Sequence, residues 1–178
     1  MRADYGLYRR LPGIKLGSGI YFWENDPQRA LEFAEAAVSN PLLTRGKIRK
    51  PFVVGAVIDL GLCLNLLDRA GLAEVEKAYP LLVMANELVS TPLPENKGPN
   101  RAARFLDRAV IETLHSTRAA VNKEKRSRGK YPPYDTVRGA FWEGGDLYPN
   151  AGFGKKNHIQ IAVRNSACIK GYFRPIVV

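Results

Sequence analysis

The chain has 178 residues and is 46% hydrophobic and 10% aromatic, which fits one domain with a sizeable core and excludes a disordered chain. Its 27 Lys and Arg against 17 Asp and Glu give a formal charge of +10, favouring nucleic acid, an anionic cofactor or an acidic protein as partner without choosing among them. No apolar run approaches the ~20 residues that span a bilayer, and Arg2, Asp4, Arg9 and Arg10 interrupt the N-terminus as no secretion signal does, so a cytoplasmic protein is expected.

In chain order, residues 1–16 are short, basic and irregular, and 19–24, "GIYFWE", read as a strand because β-branched and aromatic residues follow a glycine. Asp26-Pro27 is a helix start, Asp as N-cap and Pro at the first helical position. Ala30, Leu31, Ala34, Ala37 and Val38 carry the helical period to about Ser39, and Asn40-Pro41 stops it. The continuous apolar run 51–61, "PFVVGAVIDLG", predicts a buried central strand. Residues 64–88 predict a helix broken near Gly71 or Pro80, and 91–100 a loop. A second long helix is expected over 101–125, with Phe105, Leu106, Ala109, Val110 and Leu114 on one side. A basic loop follows, then strands at 136–144, 158–165 and 168–178. Cys63 and Cys168 are far apart in sequence, lack a CxxC partner, and read as reduced core residues. The order is no regular βαβ alternation, so the expected class is α+β with a split or antiparallel sheet in a single domain over 1–178.

The stretch Gly17 to Ala34, "GSGIYFWENDPQRALEFA", is the most informative. Gly17 and Gly19 let the backbone pass close to a ligand or to another strand. Tyr21, two positions on, shares the side of the Gly19 opening and offers a ring for stacking a flat heteroaromatic group. An ordinary strand behind a glycine turn explains the same residues. No GK[ST] follows Gly19 and a strand, not a helix, comes next, so a phosphate loop is not expected.

Those residues resemble the second block of the ADP-ribosyltransferase superfamily, in its poly(ADP-ribose) polymerase-like branch: glycines, Ile-Tyr-Phe, then a short helix with an alanine. Here the pieces are Gly17, Gly19, Ile20, Tyr21, Phe22 and Ala30. Residues 51–61 resemble the core strand after that helix, and 158–175, "HIQIAVRNSACIKGYFRP", resemble the final block. The resemblance implies an ADP-ribosyltransferase-like split antiparallel β-sheet with flanking helices, and 62–130 as a helical insertion. It implies NAD as the cofactor, the nicotinamide stacked on Tyr21, Phe33 as a second facing ring, and Gly17 and Gly19 lining the pocket. It places Gln160 at the family's catalytic glutamate, a position where some members carry Asp or Gln. An amide can hold the nicotinamide-side ribose but cannot act as a carboxylate base, which puts polymer elongation in doubt. Glu143 is the candidate for the missing carboxylate, as acceptor-side base or ribose ligand, and a solvated strand-end acid is the plain alternative. The chain departs from the family at its first block: 18 residues precede Gly19, and none is histidine.

The implied activity is mono-ADP-ribosyl transfer to a macromolecular acceptor, RNA, DNA or protein. Small basic members with this layout resemble bacterial or phage toxin and defence effectors, which implies an antitoxin partner. The alternative of another class is an inactive member that binds nucleic acid or a protein through its basic surface. The candidate surface is the loop of Lys123, Lys125, Arg126, Arg128 and Lys130 followed by Tyr131 and Tyr134, with a similar cluster at Arg45, Lys47, Arg49 and Lys50. Charges there suit phosphates and rings suit bases, and simple solvation is the competing reading. No histidine cluster, triad or Cys-His pair is present in the spacing, so neither a metal nor those chemistries are expected.

Overall fold

A computed structural model describes residues 15–44, 48–124 and 129–176. Among these residues six strands and three α-helices give an α+β arrangement with two small, mostly antiparallel sheets. The strands are β1 (Ile20–Trp23), β2 (Gly55–Ile58), β3 (Cys63–Asn65), β4 (Thr136–Phe141), β5 (His158–Val163) and β6 (Ile169–Phe173). The helices are α1 (Pro27–Ser39), α2 (Arg69–Leu88) and α3 (Phe105–Lys123). The first sheet runs β1-β5-β4-β3, antiparallel except for β3 beside β4, and the second pairs β2 with β6.

Helix α1 keeps the boundaries its punctuation predicts. Asp26 accepts the Arg29 N–H at 2.9 Å, and Pro27 fills the first position, where a missing N–H costs nothing. Asp68 caps α2 through Gly71 N at 2.8 Å. The start of α3 is capped from outside the helix: Asn96 Oδ1 accepts the Leu106 N–H at 2.9 Å.

Three expectations change. Helix α2 continues through Pro80 without a break. Residues 64 and 65, expected to open a helix, belong instead with Cys63 to β3, paired parallel to β4. The 51–61 run contributes only β2, a strand of the two-stranded sheet with Val57 58% exposed, not a buried central strand. The 62–130 stretch supplies β3 and the two helices that close the main core.

That core lies on one face of the first sheet. Leu64, Val137, Phe141 and Ala162 pack there against Ala78 and Leu82 of α2 and Val110, Ile111 and Leu114 of α3. On the other face, Ile161, Val163 and Cys168 meet Phe22, Ile58, Leu60 and Ile169, which brings the second sheet against the first. Both cysteines are free thiols, Cys168 buried and Cys63 half-buried. Among the described residues no helix is long and apolar enough to cross a membrane.

Strand alternation places Tyr21 and Trp23 on the α2–α3 face with Ala162, Gln160 and His158, because Tyr21 sits opposite Ala162 and Trp23 opposite Gln160. On β4, Gly139 faces Gln160 and Phe141 faces His158. At this end of the face α1 leans in, and Phe33 meets Trp23 with ring centroids 5.0 Å apart.

Candidate functional site

A cleft of about 330 Å³ opens between α1, the 97–103 loop and the β4–β5 end. Phe33, Glu143 and Gln160, three of the residues singled out in the sequence, line it together. Lys15, Arg29, Lys97 and Lys156 bring cations to the same wall, and Glu32 adds an acid. Its volume is near the lower end of the range for ligand clefts, about 300–1,000 Å³.

Glu143 is a charge hub. Its carboxylate contacts Lys15 Nζ, accepts from Arg29 Nη2 at 2.7 Å, and lies 3.9 Å from His158 Nδ1. Lys15, only 6% exposed, also rests 4.5 Å from the Phe141 ring centroid. Burial, with Arg29 and Arg104 near, lowers its ammonium to about 8, and the Glu143 contact works in the opposite direction. Glu143 is therefore neither a solvated acid nor a free base.

Gln160 is 4% exposed, and its Oε1 has no hydrogen-bond partner among the described residues. A buried acceptor left open at a cleft wall is costly unless a ligand or water completes it. Trp23 Nε1 and His158 Nε2 are likewise buried and unpaired. His158 Nδ1 lies 2.8 Å from the Lys156 carbonyl, which can only accept, so Nδ1 carries the proton and Nε2 the lone pair.

The glycines and Tyr21 stand elsewhere. Gly17 has a φ of +82°, and the space a side chain would take is held by Glu112 Oε1 at 3.1 Å. Gly19 lies so close to β5 that a Cβ would approach the Val163 carbonyl oxygen at 2.9 Å. Their openings face protein, not the cleft: Glu112 accepts the Ser18 N–H, and Arg164 donates to Ser18 O at 2.9 Å. The Tyr21 hydroxyl donates to Gly17 O at 2.5 Å and accepts from Leu16 N at 2.9 Å. Its ring packs on the main core, and burial pushes its phenol well above the usual range. The expected ring platform at Tyr21 and the expected glycine lining are thus replaced. Tyr21 fastens the 16–17 turn, and Phe33 is the aromatic side chain on the cleft wall.

Of the basic loop, Lys125, Arg126 and Arg128 lie outside the described residues, as do Arg45 and Lys47 of the second cluster and Arg9 and Arg10. Lys123 ends α3 and is exposed, and Lys130 is exposed 5.6 Å from the Tyr131 ring centroid. Tyr134 is held against the body by Arg118, 4.1 Å from its centroid, and by the edge of His115.

Lys15, Arg29, Glu32, Lys97 and Lys156 were not anticipated from the sequence. One signal was present: Arg29, Glu32, Phe33 and Ala36 recur at the spacing of one helical face, mixing charge with an aromatic ring. Lys15 and Lys97 carry no local signal. Among the described residues no group of three or more His, Cys, Asp and Glu could hold a metal ion.

Both histidines are lowered to about 4, chiefly by burial, with Arg164 adding at His115 and Arg29 at His158 after its hydrogen bond to Lys156 works the other way. The unfolded chain takes up these protons near 6.5 and the folded one near 4, so stability is full above 6.5 and falls as pH drops between those values. Each histidine therefore contributes a loss of stability over that window. Urea midpoints are expected to fall steadily from pH 7 to pH 4, and His158→Phe is expected to flatten the curve.

Compared with known proteins, the chain matches no family model, no curated protein and no solved structure.

Proposed function

We propose that the cleft binds NAD and transfers ADP-ribose to a macromolecular acceptor, in an ADP-ribosyltransferase-like split-sheet architecture. The observation that carries this reading is the buried Gln160 carboxamide, its Oε1 unpaired, on a cleft wall shared with Phe33 and a cluster of cations. The residues present fit the cofactor: Phe33 offers a ring face, Gln160 an acceptor for a ribose hydroxyl, and Lys15, Arg29, Lys97 and Lys156 charges for a diphosphate. NAD would supply an electrophilic ribosyl carbon with nicotinamide as leaving group. Gln160 would hold the ribose side and Phe33 would limit how the ring can lie. Glu143, already engaged by Lys15 and Arg29, orients those cations and takes a proton from an acceptor only once one of them has moved. A toxin or defence role, with an antitoxin as partner, is the biological setting that the resemblance suggests.

The second reading is a binder of nucleic acid or protein without turnover. It is favoured by the two groups that are already satisfied inside the protein, the Glu143 carboxylate and the Tyr21 hydroxyl.

The test is nicotinamide release from NAD, with label transfer to RNA, DNA and protein followed in parallel. The wild type is expected to release nicotinamide and Gln160→Ala to lose about a hundredfold, the scale of removing one positioned polar group. A folded wild type that releases no nicotinamide with any of the three acceptors leaves only the second reading.

A further inference from the structure

We propose that the β2–β6 ribbon is a docking surface for single-stranded nucleic acid. It extends the binding reading by naming a surface and a partner, and it needs no NAD. Among the described residues the ribbon's apolar packing on the first sheet is made by Ile58, Leu60 and Ile169, and Thr136 of β4 donates to Leu60 O at 2.6 Å. Beyond that contact it leaves three rings in solvent: Phe52 is 67% exposed, Tyr172 65% and Phe173 53%. Phe173 sits opposite Gly55 and its ring lies over the bare glycine backbone, where a side chain would collide with it. It is therefore a seated ring and not a loose one, which lowers the entropy lost on stacking. Tyr172 sits opposite Ala56, so the two successive rings project to opposite sides of the ribbon.

Charge accompanies the rings. Arg49 and Lys50 lead into β2, Lys170 lies within β6 and Arg174 follows it, all four exposed. The only acid in 48–59 and 168–176 is Asp59, 3.8 Å from Lys170. Cations beside solvent-facing aromatic rings match a polymer of phosphates and flat bases, each base having a π-face to stack. Two other occupants fit less well. A membrane would take an apolar stripe on one side, and Tyr172 and Phe173 point to both. A second copy in an isologous dimer would set these four cations against themselves.

The experiment is fluorescence anisotropy of labelled oligo-U and oligo-dT of about a dozen nucleotides, within the usual site size of such surfaces. Tyr172→Ala and Phe52→Ala are each expected to weaken binding about tenfold, the low end for losing one stacked base. Lys50→Glu with Arg174→Glu is expected to weaken it further and to flatten its salt dependence. A duplex of the same length is expected to bind more weakly than the single strand, since its bases are already stacked. Lys77→Ala, an exposed lysine of α2, is expected to bind as the wild type does. Because these side chains are exposed, unchanged thermal melts check that each variant is folded. The proposal is overturned if folded Tyr172→Ala and Phe52→Ala bind as the wild type does, or if duplex binds as tightly as single strand. It is also overturned if the ring substitutions abolish binding to anionic vesicles or self-association while oligonucleotide binding is absent. No NAD enters this measurement, so its failure and the failure of the transferase reading are read separately.

Discussion

Tyr21→Ala is expected to cost about 3–5 kcal/mol of stability, as large aromatic truncations in a core do, and Tyr21→Phe about 1–3 kcal/mol. The ring supports the first figure, because it packs against the cluster of Leu16, Ile111, Val137 and Ala162. The hydroxyl supports the second. It serves two backbone groups at once, and Leu16, whose N–H it accepts, is 1% exposed. Without the hydroxyl that N–H stays buried and unpaired, which costs more than the net value of the bond. Urea unfolding of both variants measures this. Under the proposed transferase reading the effect on chemistry is small by comparison: a folded Tyr21→Phe should keep nicotinamide release within a fewfold of the wild type, since the phenol is turned to the backbone. A loss of tenfold or more in a fully folded variant would show that the hydroxyl itself, and not only its hold on the 16–17 turn, acts in the cleft.

The same tyrosine shows how far the sequence could be read. Its strand, its glycine entry and the helix after it are written in local signals: Asp26-Pro27 and Asn40-Pro41 bracket α1 at Pro27 and Ser39. What Tyr21 does is decided by residues far along the chain. Glu112 and Arg164, some ninety and more positions on, fill the space beside Gly17 and Ser18 that looked open to a ligand. Strand β3 was hidden for the same reason, since three residues beside β4 take their conformation from a neighbour and not from their own period. The 51–61 run failed differently. A continuous apolar stretch suits a central strand, and it equally suits a ribbon that leaves Phe52 and Val57 in solvent. Of the cleft, the strand position of Gln160 and the end position of Glu143 were legible. The cations around them arrive from the start of the chain, from α1 and from two loops, and only the fold assembles them.

Glu143→Ala is expected to cost about 3–5 kcal/mol, because it strips the counterion from cations already out of water. Lys15 is 6% exposed and Arg29 14%, so neither regains full hydration when the carboxylate goes. Glu143→Gln should cost less, since an amide oxygen still accepts from Arg29 although it carries no charge. The pH dependence distinguishes an ion-pair origin from simple loss of packing. Lys15 is held at about 8 even with Glu143 present, and removing the carboxylate lowers it further. A lysine whose folded pKa lies below its unfolded value near 10.5 disfavours folding while it is charged, and the penalty shrinks as pH rises from the folded pKa to the unfolded one. The stability gap between wild type and Glu143→Ala should therefore be widest near pH 6, where Lys15 is charged in both proteins. It should narrow as pH rises to about 8, because in the variant Lys15 sheds its proton early. Arg29 cannot shed its proton in this range, so part of the gap should persist. Lys15→Met in the Glu143→Ala background should recover most of the part that titrates. A gap that stays constant from pH 6 to pH 9 would show that the Lys15 pair contributes nothing, and only Arg29 and packing would remain as what Glu143 supports.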